Sequence, residues 1–190
     1  MNYKIKLLKK IKKKDIKVGV IGLGYVGLPL SISYCKKGYK TFGFDIDKNK
    51  IKSLISGKTY LNTISNIQIN KVKKKFFPTN NFNLISDCDV IIICIPTPLK
   101  KKFKPDLSYL KNTVNTLFKY IRFGQILSLE STSYPGTTNE EITNKLKKKF
   151  IVGNNIFVCY SPEREDPGNK NFKTLSIPKI VSGETKDCLD

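Results

Sequence analysis

A strand, three glycines and a helix, run together in the stretch Lys17–Lys37 (KVGVIGLGYVGLPLSISYCKK), limit what this chain can fold into. Val18, Val20 and Ile21 predict a short buried strand, and the apolar run Leu28 to Cys35 predicts a helix. Between them Gly22, Gly24 and Gly27 stand at the G-x-G-x-x-G spacing. In a dinucleotide site the first glycine permits the tight strand-to-helix turn. The second lets a pyrophosphate come against the backbone, and the third lets helix and strand pack closely. The helix N-terminus adds free amide hydrogens and a partial positive charge for the phosphates. Glycine-rich turns are common, so the spacing alone is weak. Its force comes from the preceding strand, the following helix and an acid, Asp45, standing about 20 residues further on. Tyr25 and Val26, inside the loop, count with the glycines as cofactor-facing.

The rest of the chain alternates strands with helices. Ile5, Leu8 and Ile11, with Leu7 beside them, recur at helical spacing and predict an amphipathic helix over 3–13. Residues 1–16 therefore read as an N-terminal helical segment and 17–190 as one nucleotide-binding domain. Strands are expected at 40–45, 76–78, 89–95, 125–130 and 155–160. Helices are expected at 48–56, 67–74, 107–120 and 139–149, with a helical turn at 82–86. Lys179 to Ser182 reads as the opening of a further strand. The β-branched run Asp89–Ile95 (DVIIICI) suits a strand buried on both faces of a parallel sheet, and Pro96-Thr97-Pro98 ends it. This alternation predicts an α/β fold, a doubly wound, mostly parallel Rossmann-type sheet with helices on both faces.

Composition narrows the function class. At 190 residues and 39% hydrophobic, the chain can bury one good core, and no apolar run approaches the roughly 20 residues of a membrane span. Met1 to Lys14 carries lysines among its apolar positions and no small-residue cleavage site, so a cytoplasmic protein without a membrane partner is expected. The net charge of +20 invites a nucleic-acid reading, but only Arg122 and Arg164 among 35 basic residues are arginine. Base readout and bidentate phosphate contacts favour arginine. The lysines fall in short scattered runs without interleaved aromatic platforms, so a solvated surface and no nucleic-acid partner are expected. Five cysteines with no C-x-x-C pair suit free buried thiols in a reducing compartment. The absence of histidine excludes a His-ligated metal and a His-dependent triad, and no metal is expected.

In a doubly wound sheet, ligands bind in the crevice beyond the carboxyl ends of the strands. Asp45, at the end of the second strand, can accept from both ribose hydroxyls and would repel a 2′-phosphate, favouring NAD over NADP. Lys50 nearby could tolerate that phosphate, and a plain capping role for Asp45 is the alternative. Pro96 and Thr97 form a rigid loop that can flank the nicotinamide ribose or simply stop a strand. Ser131 and Thr132 place hydroxyls at the crevice, though both are ordinary turn residues. Ser161 to Gly168 (SPEREDPG) sets four charged residues between two prolines. A carboxylate there can serve as general base and Arg164 can clamp an anion, unless the octet is a surface turn.

Taken in order, GLGYVGLPL, GFDID, PTPL, LESTSYPGTT and YSPEREDPGN resemble the N-terminal domain of the UDP-glucose/GDP-mannose dehydrogenase family. Within it they look most like the UDP-N-acetylglucosamine or UDP-N-acetylmannosamine 6-dehydrogenases of bacterial polysaccharide synthesis. The resemblance implies oxidation of a sugar C6 alcohol to a carboxylate with two NAD turnovers. The implied path runs through an aldehyde, an enzyme thiohemiacetal and a thioester. It also implies that Gly22, Gly24 and Gly27 hold the pyrophosphate and Asp45 the adenosine ribose, with Thr97 and Ser131 or Thr132 on the nicotinamide side. Thr132 would position the catalytic water, and Glu163 would be the acid/base residue that assists thioester hydrolysis. Glu163 and Arg164 would face the UDP-sugar, and Arg164 replaces an apolar residue of the UDP-glucose branch, which favours an N-acetylated sugar.

The family's catalytic cysteine, in a Gly-Gly-His-Cys motif, and its catalytic lysine belong to a later domain, and neither is found in these 190 residues. Nor are the long central helix that pairs subunits into dimers or larger assemblies and the domain that grips the uridine. The expectation is a truncated NAD-binding part that binds NAD without completing the oxidation. The alternatives are a non-catalytic module or half of a split enzyme, and a different dehydrogenase on the same fold. The SPEREDPGN stretch argues against the last.

Overall fold

The Val18–Ile21 run forms β1 (Lys17–Ile21), an interior strand of a seven-stranded sheet in the computed structural model, which describes residues 2–98, 105–163 and 178–190. On one side lie β2 (Lys40–Phe44) and β3 (Phe76–Thr79). On the other lie β4 (Val90–Ile93), β5 (Gln125–Leu129), β6 (Ile156–Tyr160) and the two-residue β7 (Ser182–Gly183). The order β3-β2-β1-β4-β5-β6-β7 reverses its direction of growth between β1 and β4, the switch point of a doubly wound sheet. β6 and β7 pair antiparallel, and the other neighbours pair in parallel. The expected Rossmann-type sheet is what forms.

Burial on both faces explains the unbroken apolar β4. Ile92 packs with Val18, Val20 and Leu30 on one face, while Ile91 and Ile93 join Leu127 and Leu129 on the other. Each such fully buried side chain contributes about 1.5–3 kcal/mol. On the first face, over β1 to β3, lie α2 (Gly27–Lys36), α3 (Lys48–Ile55) and α4 (Asn66–Val72), through Leu28, Ile32, Ile51, Leu54 and Ile69. On the opposite face α5 (Ser108–Tyr120) presents Leu110, Val114 and Leu117. Asp47 caps α3 by accepting from Asn49 and Lys50, and Ser65 with Gln68 closes a capping box on α4.

The N-terminal α1 (Tyr3–Lys12) lies on the part of the first face that α2 to α4 leave open, with Leu7 against Phe157 and Cys188. Cys188 belongs to the short α7 (Lys186–Leu189). Lys10 ties α1 to the sheet by donating to both oxygens of Asp89 at 2.7 Å. Among the described residues no helix is long and apolar enough to cross a membrane.

Four expected elements differ in detail, and of the strand expected from Lys179 only Ser182 belongs to the two-residue β7. The 139–149 helix is a π-wound segment, Thr138–Thr143, running into the single turn α6 (Asn144–Leu146). The wider winding lets Asn139 reach Glu184 and Glu140 accept from Tyr134, each at 2.5 Å. The 89–95 strand is shorter as β4, although Asp89 and Cys94 still donate to the β1 carbonyls of Lys17 and Ile21. The helical turn near 82–86 is a 3-10 helix, Phe82–Asp87.

Strand register places the functional residues. Ile21, Phe44, Ile93, Leu129 and Tyr160 stand level across β1, β2, β4, β5 and β6. The next residues, Gly22, Asp45, Cys94, Glu130 and Ser161, therefore emerge in one row at the carboxyl edge. Backbone bonds hold this row: Gly22 donates to Phe44, Cys94 to Ile21, Glu130 to Ile93 and Ser161 to Leu129.

Candidate functional site

Above that row opens a crevice of about 620 Å³. Its walls include Gly22, Gly24, Tyr25, Val26, Asp45, Lys50, Pro96, Thr97, Ser131, Thr132 and Glu163, so residues far apart in sequence are brought to one place. Gly27 lies beneath the loop rather than on the wall. Arg164 and the rest of the octet beyond Glu163 lie outside the described residues.

The three glycines answer three different demands. Gly22 has a φ of +88°, and a side chain there would strike the Cys94 carbonyl. A side chain on Gly27 would strike the Gly22 carbonyl. Both are required by the turn itself. At Gly24 an added Cβ meets nothing within 4 Å, and the glycine lines the crevice. No packing among the described residues requires this second glycine, and the space it leaves is where the fingerprint seats a pyrophosphate. The N-terminus of α2, immediately beyond, carries no side-chain cap and no acid in its first turn, which leaves its dipole available to an anion.

Asp45, 7% exposed, is held from two sides. Its Oδ2 accepts from the Leu23 amide at 3.0 Å and its Oδ1 from the Asp47 amide at 2.9 Å. A carboxylate has about four lone-pair sites, so one on each oxygen remains for a diol. Lys50 Nζ stands 3.6 Å from Oδ2 and 5.6 Å over the ring of Tyr60. Tyr60, unremarked in the sequence, locks the glycine loop by donating to the Leu23 carbonyl at 2.5 Å. Burial, with the charges of Asp45 and Asp47, pushes its phenol above the ordinary range, so it stays a donor. Ile46, 80% exposed between two aspartates, offers an apolar face at the same end.

At the opposite end Ser131 has a different part from the one its hydroxyl suggests. That hydroxyl accepts from the Ile95 amide at 3.1 Å and donates to the Ile95 carbonyl at 2.8 Å, stapling the loop after β4 to the end of β5. Thr97 reinforces the staple by donating to the Thr132 carbonyl at 2.5 Å. Thr132 itself is exposed in the crevice. Glu163 is half-buried on the wall near it, and Glu130, 6% exposed, shares the same end. Burial raises the Glu130 carboxyl, Lys179 opposes that rise, and Glu163 adds to it.

All five cysteines are buried and none is in a disulfide. Burial pushes the Cys88 thiol up to about 12 and Cys159 to about 11, and raises Cys35, so these three remain protonated near neutrality. They serve packing, not nucleophilic attack.

Residues 16–189 match the sequence profile of the UDP-glucose/GDP-mannose dehydrogenase family, NAD binding domain. The chain belongs to this family. A UDP-N-acetyl-D-glucosamine 6-dehydrogenase of Pseudomonas aeruginosa is 36% identical over 176 residues, covering 92% of this chain and 41% of the relative. A UDP-N-acetyl-D-mannosamine dehydrogenase of Methanococcus aeolicus is also 36% identical, over 94% of this chain and 41% of the relative. Among solved structures, an NDP-N-acetyl-D-galactosaminuronic acid dehydrogenase of Methanosarcina mazei superposes with a TM-score of 0.85 at 32% identity. That match covers 99% of this chain and 42% of the other. The chain thus spans about two-fifths of the length of these relatives, the family's NAD-binding part.

Proposed function

We propose that this chain is the cofactor-holding part of an NAD-dependent 6-dehydrogenase acting on a UDP-N-acetylhexosamine in the cytoplasm. In this reading residues 17–190 form the binding domain and α1 is packed onto it. The observation that carries it is the space at Gly24 in front of the uncapped α2, with Asp45 held one strand away. NAD, when bound, supplies the hydride acceptor. Gly22, Gly24, Tyr25, Val26 and Gly27 seat its pyrophosphate, and Asp45 and Lys50 take the adenosine ribose diol. Ile46 lies against the adenine. Pro96, Thr97 and the stapled Ser131 shape the nicotinamide end. Thr132 orients a water, and Glu163 takes a proton from it. Arg164 joins Glu163 on the sugar side.

Relatives named for three different hexosamines match at 36%, 36% and 32% identity, so overall likeness favours an N-acetylated sugar without choosing its epimer. Dimers or larger assemblies are proposed for the full-length relatives' architecture, not for this segment. Calorimetry of the 190-residue chain with NAD, paired with a turnover assay on UDP-N-acetylglucosamine, tests the proposal. Expected are saturable NAD binding and no uronate. Failure to bind NAD defeats the cofactor assignment, and robust uronate formation defeats the division of labour.

A further inference from the structure

One ion pair at the crevice, a buried carboxylate with a partly exposed lysine, has no task in the function proposed above. Glu130 leaves the end of β5 beside Thr132 and Glu163, and it also lines a second groove of about 500 Å³. That groove lies between α2 and the β4–β6 part of the same sheet face, bounded by Tyr34, Ile92, Ser128 and Lys179. From there Lys179 Nζ donates to Glu130 Oε2 at 2.5 Å. The carboxylate thus forms part of the partition between groove and crevice, with its counter-ion lining the groove.

We propose that the Glu130–Lys179 pair sets how strongly the crevice prefers oxidised over reduced nicotinamide dinucleotide. This rests on the NAD-binding reading, which puts the nicotinamide at the β4–β6 end. The oxidised ring carries a positive charge and the reduced ring none, so a nearby charge acts on one form and not on the other. Glu130 favours the cationic ring. Lys179 opposes it and holds that preference down. At an effective dielectric constant of about 20–80, a unit charge about 10 Å from the ring changes the ratio of affinities by about twofold to fifteenfold. Among the described residues, the other titratable groups facing the pair are Glu163, Tyr34 and Cys94. Burial keeps the Tyr34 phenol well above its ordinary range and therefore neutral.

The test measures dissociation constants of NAD+ and NADH for the 190-residue chain by calorimetry, with circular dichroism of each variant. Lys179→Met is expected to move the affinity ratio toward NAD+ by about twofold to fifteenfold at a pH where Glu130 is ionised. Glu130→Gln moves it toward NADH by a similar factor, and the double variant returns near the starting ratio. Lys179→Arg keeps the charge and the original ratio. The Lys179→Met shift fades on acidification, because burial of Glu130 is then unopposed and the carboxyl protonates earlier. A merely structural pair would weaken both ligands together in both single variants, and that outcome overturns the proposal. An unchanged ratio in variants that still bind both forms overturns it as well. Loss of all binding already in the unmodified chain removes the NAD reading and this inference with it.

Discussion

Gly24 and Gly27 look alike in the motif, yet a side chain at each would meet different things, and substitution should separate them. Gly24→Ala adds a methyl into open crevice, so its unfolding free energy is expected within about 0.5 kcal/mol of the parent. Its NAD affinity should fall at least tenfold in calorimetry, because the methyl takes the space assigned to a phosphate. Gly27→Ala drives a methyl into the Gly22 carbonyl and should cost about 1–3 kcal/mol in urea unfolding. A destabilised Gly24→Ala that binds NAD normally would reverse the assignment. The glycines and Asp45 were legible in sequence because the strand, turn and helix that place them are local. Tyr60 was not, since its bond to Leu23 depends on how the chain folds back after α3. Glu130 was passed over between louder neighbours, for only the pairing of β5 with β4 and the return of Lys179 give it a setting.

Element boundaries set by short-range chemistry were read well. α3 begins at its Asp47 cap, and α5 covers nearly the span that its apolar spacing predicts. The π-wound segment was not foreseen, because partners in Tyr134 and Glu184 belong to that winding and no local pattern announces it. α1 was foreseen as a helix but not as a cover for β5 and β6, and its anchor, Asp89, stands at the start of β4. That carboxylate accepts from Lys10, from the Lys17 amide and from Arg122. Burial alone would raise its pKa, but Lys10, the Lys17 amide and Arg122 outweigh burial and hold it below the ordinary aspartate range. A carboxyl depressed on folding stabilises above its unfolded pKa and loses that contribution as pH falls through the lower folded value. Asp89→Asn should therefore lose about 1–3 kcal/mol at pH 7, with the gap to the parent closing as pH falls through and below the ordinary carboxylate range. Lys10→Met should lose less, because two donors to Asp89 remain. Urea unfolding across pH decides this, and a gap that widens on acidification would refute the sign.

For the whole molecule, the dominant electrostatic fact is 35 basic against 15 acidic residues, a net charge of +20. Local pairs such as Lys4 with Asp187 and Asp190, or Lys10 with Asp89, engage only a few of the lysines. Most of the excess is self-repulsion, which works against the compact state. Salt weakens exposed pairs and repulsion alike, since the Debye length falls from about 30 Å at 0.01 M to about 8 Å at 0.15 M. Repulsion acts over the longer distances and is screened first, whereas the Asp89 pairs lie too close and too buried to be screened as fully. Stability should therefore rise with salt, by a few degrees in melting temperature between about 0.01 and 0.15 M sodium chloride at constant pH. NAD binding should move the other way, because the same positive field that strains the fold attracts the pyrophosphate and is weakened by the same ions. Thermal melts and calorimetric titrations over one salt series read both slopes from one preparation. Opposite slopes are the expected result. A melting temperature that falls with salt would mean that specific ion pairs, not net repulsion, govern the electrostatics of this fold.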